Sequence, residues 1–465
     1  MWWSEPVARL FGWKRPARRK SDSGPSLEPP VLPFWSGGQK SSGLTAEFPR
    51  FRSNANDRID PSESGVLARA RTKFLQAFTP SQPVGDRRRF AGRLDLLGAL
   101  IRAIEEKRLH VILYGARGLG KTSALHVLAQ SARDARYLVV YLSCGANSTF
   151  DDVFRAVAAN IPMLFYSAAD VTSPEVEKGK TLADVLPKEP VSPRQASDML
   201  SRIVGTRVVV LLDEFDRCEL PQFRRDIAEL IKNLSDRLVR VQLIIAGVAT
   251  DLVDLLEHSP SIQRNIFPLQ VPRMSAEEVL LLIRNGDEQS GVRFGGPAAN
   301  IIVKAAQGSP YLASLLSHYA GLCALENERS DVTAADAMAG TTAAMLDFKG
   351  RLSARNALQL GDLVQRGYAR ALGELAGCAM LHGGSYSARD LSASAISADV
   401  TDACKELVSL LRSENLLFED GQKSAPAYHF ADDNITHYLW LLSLDTQLRA
   451  GRPVASDLEV DATTA

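Results

Sequence analysis

The stretch Gly115-Ala-Arg-Gly-Leu-Gly120-Lys121-Thr122 constrains this chain more than any other. An apolar run, His110-Val-Ile-Leu-Tyr114, precedes it, and Ser123-Ala-Leu-His-Val-Leu-Ala-Gln130 follows with a helical pattern. Strand, glycine-rich turn and helix in that order make a P-loop. Gly115, Gly118 and Gly120 let the backbone turn so that its amides, with those of Ala116, Arg117 and Leu119, converge on one spot as an anion nest. The helix N-terminus at Lys121, Thr122 and Ser123 adds unpaired N–H groups and a partial positive charge. The expected ligand is ATP with Mg²⁺: Lys121 reaches the β- and γ-phosphates, and the Thr122 hydroxyl binds the metal.

The second signal is Arg207-Val-Val-Val-Leu-Leu-Asp213-Glu214-Phe-Asp216. Five consecutive apolar residues predict a parallel strand buried on both faces. Its end delivers Asp213, a hard oxygen ligand suited to the magnesium shell. Glu214 is suited to orienting or deprotonating the attacking water. Asp216 reads as a helix cap. A further buried strand, Val241-Gln-Leu-Ile-Ile-Ala246, ends near Thr250, a candidate γ-phosphate sensor or a simple cap. Arg264, in Ser-Pro-Ser-Ile-Gln-Arg264, is either a solvated arginine or one that projects onto a neighbouring subunit's nucleotide.

Strand-like runs at His110–Tyr114, Tyr137–Ser143, Val208–Asp213, Val241–Ala246 and Phe267–Val271 alternate with amphipathic helices, which predicts a parallel α/β sheet. The Pro-rich stretch 172–193 reads as a surface excursion. After Pro272 the strands stop and helices are expected at Ser275–Arg284, Ala298–Gln307, Tyr311–Leu325 and Ala334–Leu346, making a helical lid. Helices at Ala369–Leu381, Ala388–Leu391 and Val400–Ser413, then strands at Leu416–Phe418 and Tyr428–Phe430, match a winged helix. The organisation expected is therefore a 1–62 disordered, basic and Pro/Ser/Gly-rich segment, a 63–272 P-loop ATPase core that opens on a helix at Val66–Phe78, a 273–350 lid, a 367–444 winged-helix-like domain and a 445–465 tail. The Trp- and Arg-rich first twenty residues read as a disordered basic tail, with a peripheral anchor to anionic lipid or to a partner as the alternative.

Lys plus Arg and Asp plus Glu number 54 each, so nucleic-acid binding would need a local patch. The candidate recognition helix, Asp399 to Leu416, carries Lys405 and Arg412 against Asp399, Asp402, Glu406 and Glu414, a charge that repels a duplex. The five cysteines are dispersed with no CxxC pair, as in a reduced, cytoplasmic protein. No apolar stretch reaches the length of a transmembrane helix.

Phe90-Ala-Gly92-Arg93, the P-loop strand, Asp213-Glu-Phe-Asp216, Ile244-Ile-Ala-Gly-Val-Ala-Thr-Asp-Leu252 and Gly308-Ser-Pro310 together resemble AAA+ ATPases. The resemblance runs over roughly residues 85 to 325. It is closest to the branch that holds origin-recognition-like proteins, transposition ATPases and STAND signalling ATPases. It implies an α/β, parallel-sheet P-loop ATPase of the additional-strand type with a helical lid and a C-terminal winged helix. It also implies that Arg93 packs by the adenine and that Pro310 belongs to a STAND-like GxP element at the nucleotide. Origin-type relatives often carry an arginine there as a second sensor; this chain does not, which favours a slow nucleotide switch. The function expected is an ATP-hydrolysing conformational switch that controls partner contacts or self-assembly. The alternatives are a DNA-associated ATPase of replication-initiation or transposition type and a nucleotide-binding scaffold with negligible hydrolysis.

Overall fold

The computed structural model describes residues 66–167, 178–237, 239–249, 260–393, 398–420 and 427–450. The expected N-terminal tail, Thr250 and the 451–465 end lie outside these residues. Helix α1 (Val66–Ala77) comes first, then α2 (Leu94–Glu105), β1 (His110–Gly115), α3 (Lys121–Asp134), β2 (Leu138–Ser143) and α4 (Phe150–Ala159). Next are α5 (Pro193–Leu200), β3 (Val208–Asp213), α6 (Pro221–Asp236), β4 (Val241–Val248) and β5 (Ile266–Gln270). The five strands form one parallel sheet in the order β2-β3-β4-β1-β5. β4 is thus inserted between the P-loop strand and the acidic strand, which is the additional-strand arrangement.

The apolar runs that predict the strands also explain their place. All six residues of β3 are buried, and β4 is buried from Val241 to Gly247. Each Val, Leu or Ile side chain among them, removed from water, stabilises the fold by roughly 1.5–3 kcal/mol. One apolar cluster, with Leu100, Leu125 and Ile244, covers one face of the sheet, and another, with Phe154, Phe223 and Ile245, covers the other. Part of the Pro-rich stretch belongs to the second cluster. Leu182 is fully buried and Val191 is 3% exposed, so its described part, 178–193, is not a mere surface excursion. Thr181 caps a short turn there with Asp184 in a capping box.

After the sheet come α7 (Ala276–Ser290), β6 (Arg293–Phe294), α8 (Gly296–Ala306), α9 (Pro310–Glu326), β7 (Asp331–Val332) and α10 (Ala334–Arg351). Ser275 and Thr333 each start a helix with a full capping box. Then follow α11 (Ala354–Leu363), α12 (Ala369–Leu381), β8 (Ser385–Ser387), α13 (Ala388–Ala393), α14 (Ala398–Ser413), β9 (Leu417–Asp420), β10 (Ala427–Phe430) and α15 (Asp433–Arg449). Strands β8, β10 and β9 pair antiparallel in that order. The last helix was not anticipated, and it runs into the expected tail. It is anchored by Trp440 Nε1, which donates to Ala305 O at 2.9 Å, and by Asp445, which accepts from Thr342 Oγ1 at 2.5 Å.

A single apolar cluster joins α1, the lid helices and the C-terminal elements. Helix α1 therefore packs with the lid, although in sequence it precedes the sheet. The cause is local: Gly286 on α7 and Gly321 on α9 leave room for the rings of Phe78 and Phe74. A Cβ at either glycine would stand 2.0 Å and 2.1 Å from the respective ring tips. Among the described residues, no helix is long and apolar enough to cross a membrane.

Candidate nucleotide site

The ends of β3 and β4 and the loop after β1 open on a cleft of about 520 Å³ between the sheet and the lid. That volume falls within the roughly 300–1,000 Å³ of small-molecule sites. One wall is the P-loop. Gly118 and Gly120 lie in the left-handed region with φ of 76° and 80°, where a side chain would strain the turn. Lys121 is 8% exposed, and its ammonium donates to the carbonyls of Gly115 and Ala116, both at 2.8 Å. Burial lowers its pKa to about 8, against the opposing pull of Asp216 and Asp213. A triphosphate brought to this ammonium would compensate the burial.

The second wall is acidic. Asp213 is 3% exposed at the end of β3; its carboxylate accepts from Tyr141 Oη at 2.6 Å and from the Glu214 amide at 2.8 Å. Register explains the first contact, because Ser143 pairs with Asp213 and Tyr141 lies two residues back on β2. Glu214 turns sharply into the left-handed region, φ 53°. Its Oε2 accepts from Ser143 Oγ and from Arg217, both at 2.9 Å. Asp216 does not cap the following helix. It accepts from the Val248 amide at 2.8 Å and so ties the end of β4 to the acidic turn.

The third wall comes from the lid and the loop after α1. Residues 79–84, with Leu282, Asn285 and Gln289 of α7 and Tyr311 and Ser314 of α9, line the cleft across from the acids. The loop is held by Arg89, which donates to Ala77 O at 3.0 Å and Thr79 Oγ1 at 2.8 Å. Val84 N donates to Ser123 Oγ at 3.0 Å. The lid touches the P-loop directly: Ser309 Oγ and the Tyr311 amide donate to Gly118 O at 3.3 and 3.4 Å.

Of the residues expected from sequence, Arg117, Gly118, Gly120, Lys121, Thr122, Ser123, Asp213, Glu214 and Pro310 line this one cleft. Gly115, Ala116 and Leu119 shape the loop behind it. Arg93 is not among the residues that line the cleft; it stands beside Gly120 of the P-loop. It is 7% exposed, its guanidinium donates to Leu119 O and, at 2.8 Å, to Pro272 O, and its amide donates to Glu278 Oε1 at 2.7 Å. It braces the P-loop against the start of the lid. Arg264 stands at the beginning of β5, the end of the sheet away from the cleft. Sequence reading missed Tyr141, Ser143 and Arg217, whose roles follow from strand register and a tight turn, and the loop 79–84, whose role depends on α1 docking on the lid.

The donor set fits Mg²⁺, since a hydroxyl and a carboxylate are the hard oxygen ligands it takes alongside phosphate and water. Thr122 and Asp213 line the same cleft.

The inserted β4, the P-loop and the Asp213-Glu214 pair define a P-loop NTPase of the STAND/AAA+ class. Residues 74–345, more than half of the chain, match the model of the novel STAND NTPase 1 family, and the protein belongs to that family. No curated protein matches its sequence. Among solved structures, a Walker-type ATPase of Pyrococcus abyssi is similar at 17% identity, over 78% of this chain and 99% of that one, TM-score 0.45. Cdc6p of Pyrobaculum aerophilum is similar at 14% identity, over 80% and 98%, TM-score 0.44. The RuvB branch migration motor of Thermotoga maritima is similar at 16% identity, over 79% and 97%, TM-score 0.38.

Proposed function

We propose that this NTPase is an ATP-driven conformational switch. ATP–Mg²⁺ binds in the cleft and draws the lid toward the sheet, changing what the lid and the C-terminal elements can contact. The observation that carries this reading is that P-loop, acidic turn and lid wall a single cleft, with the lid already bonded to Gly118. Lys121 leaves its carbonyls for the β- and γ-phosphates. Thr122 and Asp213 hold the metal, which would neutralise charge on the phosphates. Glu214 orients the water and takes its proton. Because Glu214 Oε2 is held by Ser143 and Arg217, those bonds must yield before it can act, which supports slow turnover. The order α12, β8, α13, α14, β9, β10 suits a winged helix, read here as a packing or regulatory module, since α14 is acidic.

The test is thermal. Saturating ATP–Mg²⁺ should stabilise the wild-type protein, by about 2.7 kcal/mol at a hundred times Kd. Lys121→Ala should lose that shift. An unchanged shift in the variant would remove the P-loop from the reading.

A further inference from the structure

Each strand of the sheet is led by an arginine. Arg207 and Arg240 immediately precede β3 and β4, while Arg136, Arg108 and Arg264 stand two residues before β2, β1 and β5. Because the strands are parallel, all five arginines occupy one rim, at the end of the sheet away from the nucleotide cleft. Strands lie about 4.8 Å apart, so the file spans roughly 19 Å. Val208 pairs with Val241, which makes Arg207 and Arg240 cross-strand neighbours. Like charges set opposite each other in this way are destabilising unless an anion lies between them.

Arg108, Arg136, Arg240 and Arg264 are exposed and Arg207 is half-buried. Among the described residues none of the five pairs with an acid. The segments leading into the strands (105–109, 133–137, 201–207, 236–240 and 260–265) hold nine Lys and Arg. Against them stand Glu105, Glu106, Asp134 and Asp236; Asp134 is taken by Arg87 at 2.8 Å, and of the nine cations Arg237 is taken by Asp198. A chain with 54 charges of each sign has thus concentrated cations on one edge. Two of the arginines occupy unfavourable backbone. Arg136, with φ of 64°, directly follows the cap of α3, where glycine is the usual residue, and Arg108, with φ of 53°, lies past the cap of α2 in the left-handed region that glycine takes most readily. Retaining a guanidinium at such positions points to a use for it.

We propose that this rim is a docking surface for the phosphodiester backbone of nucleic acid. A single file of guanidiniums suits a linear polymer of regularly spaced phosphates, which arginine grips bidentately. A membrane anchor would set apolar side chains among its cations. Of the exposed large apolar residues described, only Val204 falls in these segments. The surface is separate from the acidic helix α14 and from the nucleotide cleft, roughly 20 Å away across a six-residue strand.

The test uses the full chain and labelled nucleic acids of about 20 nucleotides or base pairs, duplex DNA and single-stranded RNA, followed by anisotropy from about 50 to 200 mM salt. Wild type should bind at least one of them with a steep salt slope. Arg207→Gln with Arg240→Gln should weaken binding about tenfold or more at low salt and reduce the slope by about 2. Arg108→Gly with Arg136→Gly should also weaken binding, yet leave Tm unchanged or raised, because glycine relieves the backbone. Every variant should keep its ATP-induced stabilisation, so a failure here leaves the nucleotide reading standing. No wild-type binding at low salt, wild-type affinity in both pair variants, or binding to phosphatidylserine vesicles alone would overturn the proposal. So would a glycine pair that lowers Tm with binding unchanged, since the arginines would then be caps for helix ends.

Discussion

Glu214 takes the left-handed backbone conformation, which a non-glycine residue occupies only when its surroundings enforce it. Its carboxylate is shared between Ser143 and Arg217. Arg217 is well exposed, so its bond is weak, worth about 0–1 kcal/mol, and it can be released. Arg217→Ala should therefore raise ATP turnover a few-fold, while Glu214→Gln should keep ATP binding and lose hydrolysis. Steady-state phosphate release checks both. Slower turnover in Arg217→Ala would show instead that the arginine assists the reaction. These two residues also mark the reach of sequence reading. Lys121, Thr122 and Asp213 were legible because each belongs to a short motif whose chemistry dictates the local order of residues. Ser143 was not, because its partner lies far along the chain and the two meet only through the pairing of β2 with β3.

At the scale of elements, the parallel strands were legible from continuous apolar runs, with boundaries shifting by a residue or two. The helix α15 escaped because apolar residues surround it: Ile435, Tyr438, Leu439, Leu441 and Leu444 are all buried, leaving no clean stripe. The docking of α1 escaped for another reason. Phe74 and Phe78 announce an apolar face, but the partners that accept them are glycines, which carry no side-chain signal. Gly286→Ala would drive a methyl into the Phe78 ring, which is 1% exposed and has little room to retreat. The cost should be about 1–3 kcal/mol. Since Phe78 and the loop after it line the cleft, ATP affinity should fall with stability. Urea melts and an ATP titration check this, and Phe78→Leu should restore part of both. Full ATP affinity in a destabilised Gly286→Ala protein would separate α1 from the site.

At the scale of the molecule, Arg264 lies at the far end of β5 from its own cleft, so any part it takes in hydrolysis would be at the nucleotide of another copy. If assembly completes the site, hydrolysis per protomer should rise with protein concentration. Arg264→Ala should then bind ATP and hydrolyse it poorly, and mixing it with Glu214→Gln should recover part of the activity, because some sites combine an intact Glu214 with a neighbour's intact Arg264. Turnover independent of concentration, with no recovery in the mixture, would confine Arg264 to the rim.

The brace at Arg93 and the docking of α1 have a joint mechanical consequence. The chain passes between the lid and the sheet twice, once through residues 78–93 and again at Pro272, and Arg93 ties the second crossing to the P-loop. A body suspended at two points keeps one easy motion, rotation about the line through them, and loses sliding and free twisting. Lid movement in this protein should thus follow a single arc, so that whatever nucleotide does at the cleft is delivered to the C-terminal elements as a turn of fixed direction.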